Sequence, residues 1–471
     1  MVLKTMVLSN NIFQVLGAAP YVLVALGLVF FYLFSLTGRR IVASTVLGLF
    51  ITFSMIAFAA NATGIKVYAA SSFILSHEVV MYSFLVLAFA WFGNLLYGLD
   101  ASLRFTNYDT TLLVLGLLGY LVAVVANSYV IVFGALMFIF LCVALVVQAK
   151  AKVTKLQVIG AVACTLFSAI ALALGTVAFE KALFTFLDLP TIHTSLQFAV
   201  GVLILVGLVA WYGFVSMLIS GSVLRERHYE LYVTVLLLML GASVPLVWRT
   251  LFMLVPVFGQ GAWNYFSVTV GASLFLLAGF NSVRLRNLNN LLGSAALGWI
   301  GLMLTTSGIP AAKGYVLIEV EAFIEILSAI GLLLISYIKY AYADRMSERQ
   351  RRVVEVGVLG IAANISFAPP FAGFWAALLV IYGLGLDGII WGSILTSAGA
   401  CAFIASSLAQ AMEALRFPLP TAKRSVRRMR GFWPLSFFSS VVIFSMIAFA
   451  GYLSPLIYFA YKGAQSIGIT H

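Results

Sequence analysis

Residues 361–380 read IAANISFAPPFAGFWAALLV, a stretch apolar enough to lie in a membrane with two adjacent prolines near its centre. Pro369 and Pro370 supply no N–H, and proline drives the residue before it out of the α region. No continuous helix passes through such a sequence. A spanning helix interrupted at bilayer depth is tolerated only where other protein, or a wet cavity, satisfies the freed backbone groups. In transporters such breaks lie near the midplane, beside the ion path. Gly373 follows closely in the same stretch.

The surrounding composition fits that setting. Of 471 residues, 63% are hydrophobic and only 9% are charged, against roughly 25% charged in a soluble domain. No loop is long enough to hold a soluble domain. With about 20 apolar residues per crossing, the chain divides into about fourteen spans, an all-α polytopic membrane protein. The first two are Pro20–Leu36 and Ile41–Ala60, and the third to eighth run from Val79 to Val255. The ninth to eleventh are Trp263–Phe280, Leu292–Thr306 and Tyr315–Ile338. Then come Val353–Leu384, Gly388–Met412 and Trp433–Phe459. The N-terminal stretch has one lysine and no small-residue cleavage site, so Pro20–Leu36 is expected to be retained.

The net charge of +12 is distributed by topology. Of 27 Lys and Arg, 21 fall in loops after odd-numbered spans, including Arg39, Arg40, Arg345–Arg352 and Lys423–Arg430. The opposite loops hold Lys4, Lys66, Lys181, Lys313 and Lys462, while Arg249 lies inside the eighth span. By the positive-inside rule the basic loops are cytoplasmic and both termini face outward. The basic stretches suit a partner subunit or anionic lipid equally, and nucleic acid is not required to explain them.

Two breaks are expected. Spans four to eight contain an irregular place at Tyr212–Ser222, with Gly213 and Gly221, and spans nine to thirteen contain Pro369-Pro370. Both fall in the fourth span of a five-span half, so successive halves enter the membrane in opposite orientation, as in an inverted repeat. The bland alternative for the first is ordinary glycine-rich helix packing. The domain division is 1–106 for the first three helices, 107–412 for the core with repeats at 110–255 and 263–412, and 413–471 for a basic loop and last helix.

Charged residues within a span are functional candidates by default. The eleventh span carries Glu319, Glu321 and Glu325, the last two on one helix face. Glu325 lies about 15 Å below Tyr315, near the bilayer centre. Two carboxylates so close in low dielectric do not both ionise easily. They read as a proton-carrying pair or a cation site, or else as a pair neutralised by Lys313 or Arg249 or turned to a neighbouring subunit. Arg249 either snorkels to the outer interface or pairs with one of these glutamates. Tyr212, Ser216, Ser220, Asn364 and Ser366 line the two breaks, suited to water or freed carbonyls. His77, Glu78 and His193 sit at interface depth without metal spacing, and Cys142, Cys164 and Cys401 read as small core residues. Phosphate loops, metal motifs and nucleophilic triads are absent from the sequence.

Three stretches resemble the antiporter-like membrane subunits of respiratory complex I, the N type most: Tyr108–Leu141, Arg284–Gly301 and Ser366–Phe374. The last, SFAPPFAGF, looks like that family's Pro-Pro-x-x-Gly-Phe signature at a broken twelfth helix. The resemblance implies fourteen spans, broken seventh and twelfth helices and a row of charges at mid-membrane depth. Most of that row is missing here. The expected glutamate falls at Met137, the lysines near Trp211, Gly241 and Ala377, and a histidine at Trp299. The implied function is a non-catalytic membrane-arm subunit of a complex I-like NADH (or other donor):quinone oxidoreductase, pumping protons or serving as scaffold. Quinone, flavin and iron–sulfur centres then belong to partner subunits. The setting is a cell inner (cytoplasmic) membrane. The alternatives are a subunit of a multi-subunit cation/proton antiporter, a membrane-bound hydrogenase-type complex, or a fourteen-helix flippase, for which the sequence is poor in cavity-lining polar residues.

Overall fold

The structure, a computed structural model, describes residues 20–62, 68–70, 73–75, parts of 112–142, 260–284, 288–309, parts of 313–335, and 346–416. It forms two compact units, one within Met1–Lys150 and the other containing Leu189–Ala464.

In the first unit, α1 (Pro20–Leu36) and α2 (Arg40–Ala62) form a helical hairpin. Val24, Leu28 and Phe31 face Ala43, Leu47 and Ile51, with Leu121 completing the cluster. The spacing of three and four residues puts each set on one stripe. Ser54 Oγ donates to the Pro20 carbonyl at 2.8 Å, which ties the end of α2 to the start of α1. Arg39 and Arg40 occupy the turn between the first two predicted spans. Beyond α2, β1 (Tyr68–Ala70) and β2 (Phe73–Leu75) pair antiparallel, with Tyr68 opposite Leu75. This pair of three-residue strands is a local addition to a fold that is otherwise helical among the described residues. It occupies a loop too short and too β-branched-poor to announce itself by alternation.

The second unit contains α3 (Gln260–Arg284), α4 (Leu288–Thr306), a helix α5 across 313–335, α6 (Glu348–Ile365), α7 (Ala372–Leu386) and α8 (Ile390–Arg416). By length and composition, Trp263–Arg284 and Ile390–Met412 are each long and apolar enough to cross a membrane. The predicted twelfth span is two helices, α6 and α7, separated by residues 366–371. At about 1.5 Å per residue neither half matches the roughly 30 Å hydrocarbon core. The helix α6 begins before the apolar run, in a polar first turn. There the Gln350 amide N–H donates to Ser347 Oγ, and the Ser347 N–H donates back to Gln350 Oε1 at 2.9 Å. Arg352 pairs with Glu348 on the exposed side at 2.7 Å, an arrangement worth little in water.

Helices α3 and α4 pack backbone to backbone. A Cβ on Gly301 would lie 2.6 Å from the Phe275 nitrogen and 2.8 Å from the Gly271 carbonyl oxygen. Neither atom can swing aside, so the helices stay close only without a side chain at this position. Trp263 Nε1 donates to the Ser307 carbonyl at 2.9 Å and closes the far end of the pair. Gly301→Leu should therefore push α3 and α4 apart, at about 1–3 kcal/mol, read as a lower unfolding midpoint in detergent; an unchanged midpoint contradicts this packing.

Candidate functional site

The site is built where α4, α5 and the broken pair α6/α7 meet. On α5, Glu321, Glu325 and Ser328 are buried, as are Ile318, Ile324 and Ile335. The spacing from Glu321 to Glu325 to Ser328 keeps all three polar side chains on one face, over about 10 Å of helix. Glu321 is 0% exposed and Glu325 3%. Thr306, the last residue of α4, meets Glu321 with 2.7 Å between Oγ1 and Oε1. Oε2 of Glu321 and Oε2 of Glu325 have no hydrogen-bond partner among the described residues. A bare buried oxygen is tolerable on a neutral carboxyl and very expensive on an ionised one.

The polar line continues to the break through Asn364. Its Nδ2 donates to Ser328 Oγ at 2.6 Å, and Ser328 in turn donates to the Ile324 carbonyl. Its Oδ1 accepts from the Gly373 N–H at 2.9 Å, so one fully buried amide joins α5, α6 and the first turn of α7. That turn would otherwise start uncapped, because Phe371 at its head makes no side-chain cap bond. Gly373 is required here: a Cβ would fall 2.0 Å from the Asn364 carbonyl oxygen. The Ile365 carbonyl, freed by the break, accepts from Trp299 Nε1 at 2.9 Å. Ser366 donates to the Ala362 carbonyl and touches Ser407 of α8.

An aromatic cluster fills the space beside the break. The Phe367 ring lies 4.7 Å from Trp299, 5.0 Å from Phe275 and 5.2 Å from Phe403, centroid to centroid. All four side chains are fully buried. Phe367 has φ +58°, a left-handed backbone that a bulky residue adopts only at a cost of about 1–3 kcal/mol. Packing of its ring by three aromatics offsets that strain. The Pro369–Pro370 bond is cis, and both prolines are exposed.

The structure thus places Glu321 and Glu325 on one face of α5 that runs through Ser328 to Asn364 and Gly373, while Ser366 turns to Ala362 and Ser407, and Pro369 and Pro370 lie in the connection. Lys313, offered by the sequence as a neutralising partner for the carboxylates, instead pairs with Asp387 at 3.6 Å on an exposed edge. Glu319, Arg249, Tyr212, Gly213 and the expected seventh-helix break lie outside the described residues, as do Met137, Trp211 and Gly241. Ala377, where the resemblance would put a lysine, is buried on α7. Sequence reasoning missed Thr306, Ser328 and Phe367. Ser328 was within reach, since it continues the Glu321–Glu325 face by one further turn. Thr306 and Phe367 act across helices, and no local spacing marks them.

No protein-family model matches the sequence, and neither does any curated protein. Solved structures do match along nearly the whole chain. A chain of the Mrp complex from Dietzia sp. superposes with a TM-score of 0.71 at 13% identity, over 97% of this chain and 98% of that one. A chain of the membrane-bound sulfane sulfur reductase, an archaeal respiratory membrane complex, gives 0.70 at 12%, over 96% and 97%. A chain of respiratory complex I from Thermus thermophilus with bound Aureothin gives 0.68 at 16%, over 94% and 99%. That is a likeness of fold. The chain has the fold of the antiporter-like membrane subunits of such complexes, a multi-pass membrane architecture.

Asn364→Leu keeps the side chain's shape but strands the Gly373 N–H and the Ser328 hydroxyl. It should lower stability by roughly 1–3 kcal/mol, measured by chemical unfolding in detergent; a neutral effect means that α6 and α7 are joined by something else.

Proposed function

We propose that the chain is a membrane-arm subunit of a complex I-like assembly, related to the N type. It supports proton translocation driven by electron transfer from NADH or another donor to quinone. The observation that carries this reading is the buried carboxylate pair on α5, set beside a broken helix in a fold shared with subunits of respiratory membrane complexes. Burial at this depth is expensive unless the groups exchange protons. The positions where such a subunit would hold a histidine and a lysine carry Trp299 and Ala377, so proton traffic runs along the face of α5. Flavin, iron–sulfur centres and the quinone site belong to partner subunits, and this chain contributes no redox group. It resides in the cytoplasmic membrane with both termini outward and the basic loops inside.

A second reading is a subunit of a multi-subunit cation/proton antiporter, favoured by the likeness to the Mrp complex chain. Under the first reading, mild-detergent purification from native membranes brings down iron–sulfur and quinone-site subunits. Under the second it brings down only further membrane subunits. In the reconstituted assembly, Glu321→Gln and Glu325→Gln should each abolish most proton movement per electron while leaving quinone reduction in uncoupled vesicles intact. Unchanged proton translocation in both variants removes the α5 carboxylates from the path.

A further inference from the structure

The hydroxyl of Thr306 has one hydrogen and two oxygens competing for it. The Leu302 carbonyl lies 2.8 Å from Oγ1 and Glu321 Oε1 lies 2.7 Å from it. Both are hydrogen-bond distances, but a carbonyl only accepts, and an ionised carboxylate only accepts. With Glu321 ionised, the single hydroxyl hydrogen leaves one contact without a proton, at a site with no exposure to water. With Glu321 neutral, every contact is satisfied. Thr306 donates back to the carbonyl four residues earlier, a common habit of threonine in helices, and the carboxyl O–H donates to Thr306 Oγ1. The remaining Glu321 oxygen, which has no partner among the described residues, is then an uncharged carbonyl oxygen.

Resting on the functional reading above, we infer that Thr306 is the positioning residue for the Glu321 proton. The carboxyl holds its proton against the threonine hydroxyl, and that hydroxyl reverses when the proton leaves. The step is balanced within the pair. Once Glu325 has passed its own proton onward, the proton on Glu321 Oε1 departs for the Glu325 carboxylate, one turn along the same face. The Thr306 hydrogen turns from the Leu302 carbonyl to the newly charged Oε1. Leu302 keeps its helical N–H partner throughout. One proton and one negative charge are shared by the two carboxyls before and after. Lys313 is engaged with Asp387, and among the described residues the reorientable Thr306 hydroxyl is the group placed to stabilise charge on Glu321.

The test is infrared difference spectroscopy of the assembled complex in lipid vesicles on exchange from H2O to D2O. The proposal expects a protonated carboxyl C=O band that disappears in Glu321→Gln. Thr306→Val, which keeps the shape, should move that band to higher frequency, and Thr306→Ser should restore it. Proton translocation should slow two- to tenfold in Thr306→Val, the effect of one neutral hydrogen bond on a barrier, and recover in Thr306→Ser. A band lost in Glu321→Gln but unmoved in Thr306→Val overturns the role of Thr306 and leaves the proton-carrier reading standing. No Glu321 band in the unmodified chain overturns the proposal outright. If Thr306→Val fails to assemble, Thr306→Ala reads the same band, which should again move to higher frequency, and an unmoved band counts against the pairing. Failure of the wider reading shows separately, as full translocation in both glutamine variants.

Discussion

A backbone interrupted within hydrocarbon must find a partner for every N–H and C=O it frees. In this chain turn bonds such as Ala368 N–H to the Ala363 carbonyl take some of them, and two side chains take others. The Asn364 amide takes the Gly373 N–H, and the Trp299 indole takes the Ile365 carbonyl, each at 2.9 Å. Those two side-chain bonds tie the end of α6 and the start of α7 to their neighbours. The rest of the second unit is arranged to deliver them. The close approach of α3 and α4 sets the position of Trp299. The polar face of α5 presents Ser328 to the other end of Asn364. The ring of Phe367, held among Phe275, Trp299 and Phe403, keeps the connection in its unusual left-handed turn.

An indole at position 299 donates one hydrogen bond and fills a large apolar volume, so it serves as the structural partner of the freed Ile365 carbonyl. It cannot carry a proton across the membrane. The ionisable groups that remain buried are one helix away, on α5, where Glu321 and Glu325 stand with only a hydroxyl for company among the described residues. The side chains that hold the break and the buried carboxyls thus lie on neighbouring elements. Asn364 is the point at which the two touch, through Ser328.

The break itself was plain in the sequence, because two prolines cannot be accommodated in a helix interior and the only charge in residues 353–384, Glu355, stands near the start of the run. The limits of α3, α4 and α8 were likewise legible to within a few residues, since apolar length and flanking charge determine them. The pairing of Glu321 with Glu325 on a buried face followed from a spacing of four. What the sequence concealed depends on contacts far apart in the chain. Trp299 and Ile365 are 66 residues apart, and Thr306 reaches Glu321 across a helix boundary. The left-handed Phe367 defies its own propensity and is explained only by the rings around it. The short hairpin at Tyr68–Leu75 gave no alternation to read. Lys313, one of several partners open to the glutamates, pairs with Asp387 on a different helix end, a contact that local spacing does not show. The expected counterpart break near Tyr212 and Gly213 lies outside the described residues.

The central claim is that the Asn364 and Trp299 side chains bond directly to the two ends of the interrupted helix. An experimental density map of the chain within its native assembly in lipid tests it most directly. The account predicts density for the Asn364 amide bridging Ser328 and the Gly373 backbone, with the Trp299 indole against the Ile365 carbonyl. An unbroken helix through residues 361–380, or ordered waters separating Asn364 from Gly373 and Trp299 from Ile365, would contradict it.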